Sequence, residues 1–443
     1  MTSTPHHIDK LMDDELLAEV LGFETQEVAT TASGAYVDAH SGRQFLDFTG
    51  GIAVHACGHN HPAVVEAIKL QAVALLHVSD TMRHEPQLAL ASWLRSKFAE
   101  AVPGELWQFL LLNSGSEAID AAAKLAMKVT RRYEFAAFDG AFHGRTMMAT
   151  ALSCSKVVHW NAYDPFITMM RARVTHLPVP RASRCNEANE PARCIDAMRQ
   201  LFAEKGDRLA AIFFEGQQGE GGYFPMDGNV AQEMQRLARQ FGVLLVADEI
   251  QAGCGRTGRW FSFQHLGLQP DIVTFGKAVG GGLPLAGLGA RLSLMSQWLP
   301  GEHGSTFGGN PLSCAAGLAA MQIIDEQGLV QNAVEMGFAA TEMLKPLLGT
   351  AGIYDVRGNG LMLAIELRDA SGNPDYNRCD AVKEEARRNG LLLLTCGARI
   401  GKSQTDCSAL RIIPPLNVDR ASMVSGINTL IQALLSVPVA VPI

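Results

Sequence analysis

Between residues 62 and 325 the chain alternates helical spacing with short runs that are apolar at nearly every position: WQFLLLN, EFAAFDG, LAAIFFEG, VLLVADE and DIVTFGKA. A strand with one wet face alternates polar and apolar residues, whereas a strand buried on both faces reads as an unbroken apolar run. Runs of the second kind, separated by helices, predict an α/β fold with a mostly parallel central sheet. From residue 326 a helical stretch, VQNAVEMGFAATEMLKPLL, gives way to strand-like VRGNGLMLAIEL, then to a helix, strands and a last helix. That part reads as a smaller α+β lobe. Residues 8–22 have helical spacing closed by Gly22, and GAYVDAHSGRQFLDF reads as two short strands about a Ser41-Gly42 turn. The expected division is an N-terminal segment (1–61) joining the small domain, a large ligand-binding domain (62–325) and a C-terminal small domain (326–443).

Polar groups gather where the apolar runs end. Ser114-Gly115-Ser116 follows the first run, Glu215 the third, Asp248 the fourth and Lys277 the fifth. Open α/β sheets bind ligands outside the carboxyl ends of their strands, so these residues are expected at one edge. Desolvation favours a neutral lysine, and a neutral amine can attack a carbonyl to form an imine. Asp248 at the end of a buried strand needs a cationic partner. A protonated pyridine nitrogen is one, and Gln251 could donate to the phenolic oxygen across the same ring. Ser114 and Glu117 have capping-box spacing ahead of an Ala-rich helix, whose bare N–H groups suit a phosphate. In FDGAFHGRT, Phe142 could stack on a planar ring, His143 could line it, and Arg145 could bind a carboxylate. Each residue has a plainer reading, as a solvated lysine, a helix cap or a core phenylalanine. Their joint placement at strand ends favours the shared one.

These segments resemble the class III (ω-amino acid) aminotransferases of pyridoxal-phosphate fold type I, from about residue 30 to 420. The resemblance is carried above all by D-E-I-Q, G-R-T-G and F-G-K in order between Leu245 and Leu285. It is similar in particular to 4-aminobutyrate, ornithine and acetylornithine aminotransferases. The resemblance implies pyridoxal 5′-phosphate as cofactor, Lys277 as Schiff-base lysine and proton-shuttling base, and Asp248 on the pyridine nitrogen. It places Gln251 at the phenolate side, Ser114, Gly115 and Ser116 at the phosphate, Phe142 on the ring, and His143 and Glu215 beside it. Thr306, in HGSTFGGNP, would reach the phosphate of a neighbouring subunit, which implies a homodimer with shared active sites. For the substrates, an amino donor and a 2-oxo acid acceptor (2-oxoglutarate), it implies Arg145, Arg411 and a movable Glu220 that covers Arg411 when the donor is bound. Ile52 matches an apolar wall of 4-aminobutyrate-type enzymes. Gly216 stands where the family has proline, a change expected to loosen the turn after Glu215.

Net charge is -8, from 37 basic and 45 acidic residues, with none of the clustered Lys and Arg that nucleic acid demands. No apolar stretch is long enough to span a bilayer, and the N-terminus lacks a signal peptide's apolar core. Nine scattered cysteines with no C-x-x-C pair fit a reducing compartment, so the chain reads as cytoplasmic. His55, His59 and His61 have ligand-like spacing but no accompanying carboxylate pattern, and no metal is expected. GARIGKS (397–403) has three residues between its glycines where a P-loop needs four. Within the cofactor class, a dialkylglycine-type decarboxylase is the competing reading, because the same lysine and aspartate serve both reactions.

Overall fold

The computed structural model of the protein describes residues 18–181, 190–397 and 407–439. Strands β1 (Ala29–Ser33), β2 (Tyr36–Ala39) and β3 (Gln44–Asp47) form an antiparallel meander. The expected helix over 8–22 lies largely outside the described residues; Glu19–Leu21 forms a single 3-10 turn. The central sheet comprises β4 (Trp107–Leu112), β5 (Glu134–Phe138), β6 (Val174–Leu177), β7 (Leu209–Phe214), β8 (Leu244–Asp248), β9 (Ile272–Phe275) and β10 (Ala286–Arg291). Their order is β4-β10-β9-β8-β7-β5-β6. The pairs β5–β6, β5–β7, β7–β8 and β8–β9 are parallel, and β10 alone runs against its neighbours β4 and β9.

All five apolar runs are strands of this sheet, and every residue of β7, β8 and β9 is buried. Helices cover both faces. One of them, Gly115–Thr130, presents Ala118, Ala121, Ala122 and Ala126 inward, and such small side chains let it lie close to the strands. Two strands escaped the sequence reading. β6 is only four residues long, and β10 (AGLGAR) has Leu288 as its single large apolar side chain. Its glycines are dictated by neighbours: a Cβ on Gly289 would stand 2.7 Å from the Phe98 ring and 2.8 Å from that of Phe109.

In the C-terminal part, β11 (Ile353–Asn359), β12 (Met362–Leu367), β14 (Leu394–Cys396) and β15 (Ala409–Ile412) make an antiparallel sheet in the order β11-β12-β15-β14. The two-residue strand β13 (Leu391–Leu392) pairs in parallel with β3, so the first strands of the chain are hydrogen-bonded to its last third. Among the described residues, no helix is long and apolar enough to cross a membrane.

The histidines of HACGHNH have structural partners. His59 Nε2 lies 2.8 Å from Asp47 Oδ2, and His61 Nδ1 accepts from Ala63 N at the start of helix Pro62–Ala74. Among the described residues, no three His, Cys, Asp or Glu side chains are arranged to hold a metal ion. Of GARIGKS, only Gly397 lies within the described residues.

Candidate active site

The carboxyl ends of β4, β5, β7, β8 and β9 open on one cavity of about 360 Å³. Ser114, Gly115, Ser116, Phe142, His143, Glu215, Glu220, Asp248, Gln251 and Lys277, all expected from sequence, line it together.

Lys277 follows β9 after the single residue Gly276. Its backbone is left-handed (φ 47°), in a short turn over Lys277–Gly280, a conformation that costs a non-glycine residue about 1 kcal/mol or more. Burial lowers its pKa, against the opposing pull of Asp248, Glu220 and Glu215. Asp248, the last residue of β8, is buried. Its Oδ2 lies 2.7 Å from His143 Nδ1, and its Oδ1 accepts from Ile250 N at 3.0 Å. Burial opposes charging of His143, but the Asp248 hydrogen bond and the charges of Asp248 and Glu215 outweigh it and raise its pKa.

The helix beginning at Gly115 carries the expected capping box. Ser114 Oγ accepts from Glu117 N (3.3 Å), and Glu117 Oε2 accepts from Ser114 N (2.9 Å) and Asn113 N (2.8 Å), an arrangement contributing about 1 kcal/mol. Gly115 and Ser116, in the first turn, form the cavity wall. A Cβ on Gly115 would stand 2.8 Å from Ile250 Cδ1. Ser116 Oγ accepts from Arg145 N at 3.0 Å, which ties the helix to the loop carrying Phe142 and His143.

Glu215 is buried and holds two turns. Its Oε1 accepts from Phe142 N at 3.1 Å and its Oε2 from Gly219 N at 2.7 Å, while burial raises its pKa. The turn after it is pinned rather than loosened by Gly216. A Cβ there would collide with Ser262, and Gln217 reaches across to Met362 O (2.7 Å) and accepts from Asn359 N (3.0 Å). Glu220 Oε1 meets Arg411 Nη1 at 2.6 Å and its Oε2 meets Lys156 Nζ at 3.1 Å. Arg411 is itself fixed, donating to Thr395 O through Nε (2.9 Å) and Nη2 (2.6 Å). Burial disfavours the Glu220 carboxylate, but the two cations hold its pKa well below the usual range.

Four expected residues lie outside the lining. Arg411 is buried behind Glu220. Arg145 is exposed, its guanidinium 5.7 Å from the Phe142 ring centre. Ile52 is 47% exposed in a left-handed conformation (φ 62°), and Val54 takes the place in the wall. Thr306 is exposed, although its neighbour Ser305 accepts from Asn113 Nδ2 at 3.0 Å. Sequence reasoning missed Lys156, Ile250 and the buried Tyr223, over whose ring Arg411 sits at 5.8 Å. Lys156 carries no local signal, since its partner is 64 residues away.

Glu249, beside Asp248, is fully buried and accepts from Ser262 N (2.7 Å), Ser262 Oγ (2.7 Å) and Phe263 N (3.0 Å). Burial, only partly offset by these donors, pushes its pKa up to about 7. The folded protein therefore keeps a proton that the unfolded chain has released. This group's contribution to stability falls as pH rises from the ordinary glutamate value to about 7, by on the order of 3 kcal/mol. Melting temperatures measured across that window should decline less steeply in Glu249→Gln. An unchanged slope would mean that Glu249 titrates normally.

The buried atoms His143 Nε2 and Gln251 Oε1 have no hydrogen-bond partner among the described residues, so the wall retains capacity for a polar ligand. An amine, a buried carboxylate, first-turn amides and an aromatic side chain around one cavity suit pyridoxal 5′-phosphate in kind. With its strand ends furnished in this way, the molecule has the architecture of a pyridoxal-phosphate enzyme of fold type I. The chain belongs to the class-III aminotransferase family, whose model matches residues 23–434. It is 36% identical to the 4-aminobutyrate aminotransferase of Escherichia coli, over 88% of this chain and 89% of that one. It is 34% identical to a 5-aminovalerate aminotransferase of Pseudomonas aeruginosa (91% and 92%) and 36% identical to an acetylornithine aminotransferase of Methanosarcina mazei (92% and 91%). In structure it is similar to an aminotransferase of Bacillus anthracis, with a TM-score of 0.89, 25% identity and coverage of 98% and 100%. An ornithine aminotransferase of Toxoplasma gondii gives a TM-score of 0.83 at 26% identity, covering 98% and 96%. The protein is thus a pyridoxal-phosphate-dependent transaminase.

Proposed function

We propose that this aminotransferase moves the terminal amino group of a straight-chain ω-amino acid, of the 4-aminobutyrate type, to 2-oxoglutarate, as a cytoplasmic homodimer with shared active sites. The observation that carries this reading is Glu220, which lines the cavity while its 2.6 Å partner Arg411 does not. With Glu220 in place, the described residues of the wall offer no free guanidinium to an α-carboxylate, which suits a donor that has none beside its amine. With Glu220 displaced, Arg411 can take the α-carboxylate of the acceptor through a charge-assisted pair. The relatives named for 4-aminobutyrate and 5-aminovalerate act, by those names, on such donors.

When bound, pyridoxal phosphate supplies an aldehyde that exchanges with amines and a ring that accepts electrons. Lys277 would hold it through Nζ, Asp248 would face the ring nitrogen, and Ser114, Gly115 and Ser116 would bind the phosphate. Phe142, His143, Glu215 and Gln251 would frame the ring. Burial keeps the Lys277 amine closer to its neutral form. Nζ is thereby fit to take the proton from the carbon that bears the donor's nitrogen and to return it one position away. Asp248, held by His143, stays oriented throughout. Arg145 would bind the distal carboxylate of either substrate, and Ile52 would wall the donor's chain. Thr306 would reach the phosphate of the second subunit. Leu70, Val73, Leu76, Met82 and Phe307 are exposed apolar side chains that support such pairing.

The test is a donor panel on cofactor-loaded protein, followed by visible absorbance: 4-aminobutyrate, 5-aminovalerate, β-alanine, ornithine, acetylornithine, lysine and putrescine. Bleaching by a short ω-amino acid, reversed by 2-oxoglutarate, is the expected outcome. Bleaching by acetylornithine or putrescine alone would move the assignment to those donors. Carbon dioxide release from a 2,2-dialkyl amino acid would move it to decarboxylation.

A further inference from the structure

Glu220 is gripped from two sides, and only one grip has to open for the acceptor. Its Oε1 is 2.6 Å from Arg411 and its Oε2 is 3.1 Å from Lys156. Both hydrogen bonds from Arg411 to Thr395 O hold that guanidinium still, so an incoming carboxylate displaces Glu220 rather than Arg411. Lys156 is placed with equal care. Cys154 N and Ser155 N both donate to Ala141 O, at 2.7 and 3.0 Å, which straps the segment before Lys156 to the loop that carries Phe142. Of the other basic groups near Glu220, His159 is held neutral at ordinary pH, its pKa pushed down to about 4 by burial, Arg145 and Lys156. Burial likewise favours the neutral form of Lys277.

Resting on the glutamate-switch reading above, we propose that Lys156 is a specificity-determining positioning residue, the cation on which Glu220 stays parked when an α-carboxylate takes Arg411. The charge balance supports this. Glu220, Arg411 and Lys156 together carry one excess positive charge, which one more carboxylate neutralises, and each anion then keeps a cation. Without Lys156, the arriving carboxylate would strand Glu220 in a site that is 15% exposed at its side chain, and a stranded, nearly buried charge is costly. Lys156 thus lowers the cost of opening Arg411 to the acceptor and does little for the donor, which leaves Glu220 where it is.

The test uses the loaded enzyme and glutarate, an unreactive five-carbon dicarboxylate, with butyrate as the monocarboxylate control, both followed by calorimetry. Lys156→Met should weaken glutarate binding about tenfold, the effect of roughly one charge-assisted contact, and butyrate binding much less. Lys156→Arg should restore it. The KM for 2-oxoglutarate should rise in parallel, with a smaller change in the KM for the donor. In a Glu220→Gln background, Lys156→Met should have no further effect on glutarate. Equal weakening in both backgrounds, or none in either, overturns the proposal. Glu220→Gln alone separates the two ideas: it should tighten glutarate, and if it does not, the switch itself is wrong whatever Lys156 does.

Discussion

Lys277→Ala is expected to abolish turnover, by about 10⁴-fold or more, because in the proposed reaction it removes both a nucleophilic amine and a general base from one position. It should also remove the visible absorbance that depends on linkage of the cofactor to the protein. The placement of this residue argues for so large an effect. Lys277 leaves the end of β9 in a left-handed conformation, and the strain is tolerated because the turn aims the side chain into the cavity. Gly281, four residues on, has φ 59° and no room for a Cβ, which would stand 2.8 Å from Ala316 O, so the bend is locked from behind. Lys277→Arg is the sharper companion. It keeps length and charge but cannot deprotonate near neutral pH, and it should be nearly as inactive as the alanine variant. Normal turnover in either would refute the assignment of Lys277. Circular dichroism and the melting temperature distinguish a misfolded variant from a folded, inactive one.

The features that were legible in the sequence are those written locally. An unbroken apolar run with a polar residue at its end specifies a doubly buried strand and a group at the sheet's edge. For that reason WQFLLLN, VLLVADE and DIVTFGKA announced both β4, β8 and β9 and the placement of Ser114, Asp248 and Lys277. The capping box was equally legible, because Ser114 and Glu117 are three residues apart and need no third element. The antiparallel strand β10 was not, since its composition answers to Phe98 and Phe109 on other elements rather than to a pattern of its own. The same holds for the turn after Glu215. Read locally, Gly216 in place of proline suggested slack, but Gln217 ties that turn to β12 and to Asn359, more than 140 residues further on. Lys156 was invisible for this reason too, as a lysine among SCSKVVHW resembles any surface lysine until Glu220 is folded onto it.

Arg411→Ala should separate the two half-reactions more than any other single change. The guanidinium holds Glu220 at 2.6 Å and is held in turn by Thr395 O. Removing one partner of a buried, hydrogen-bonded charge pair costs roughly 2–5 kcal/mol, which for the acceptor's α-carboxylate in the proposed reaction is about a 30- to 4000-fold rise in KM for 2-oxoglutarate. On the proposed reading, the donor brings no carboxylate to this position. Its loss should be confined to whatever Glu220 does when released from Arg411, and Lys156, still within reach at 3.1 Å, limits that. The expected result is therefore a large defect when 2-oxoglutarate restores the absorbance and a small one when the ω-amino donor bleaches it, each measured as a single half-reaction. Equal defects in both directions would show that the Glu220–Arg411 pair merely braces the wall. In that case specificity for the acceptor would have to come from another cation at the cavity, and Arg145, exposed beside the Phe142 ring, would be the residue to replace next.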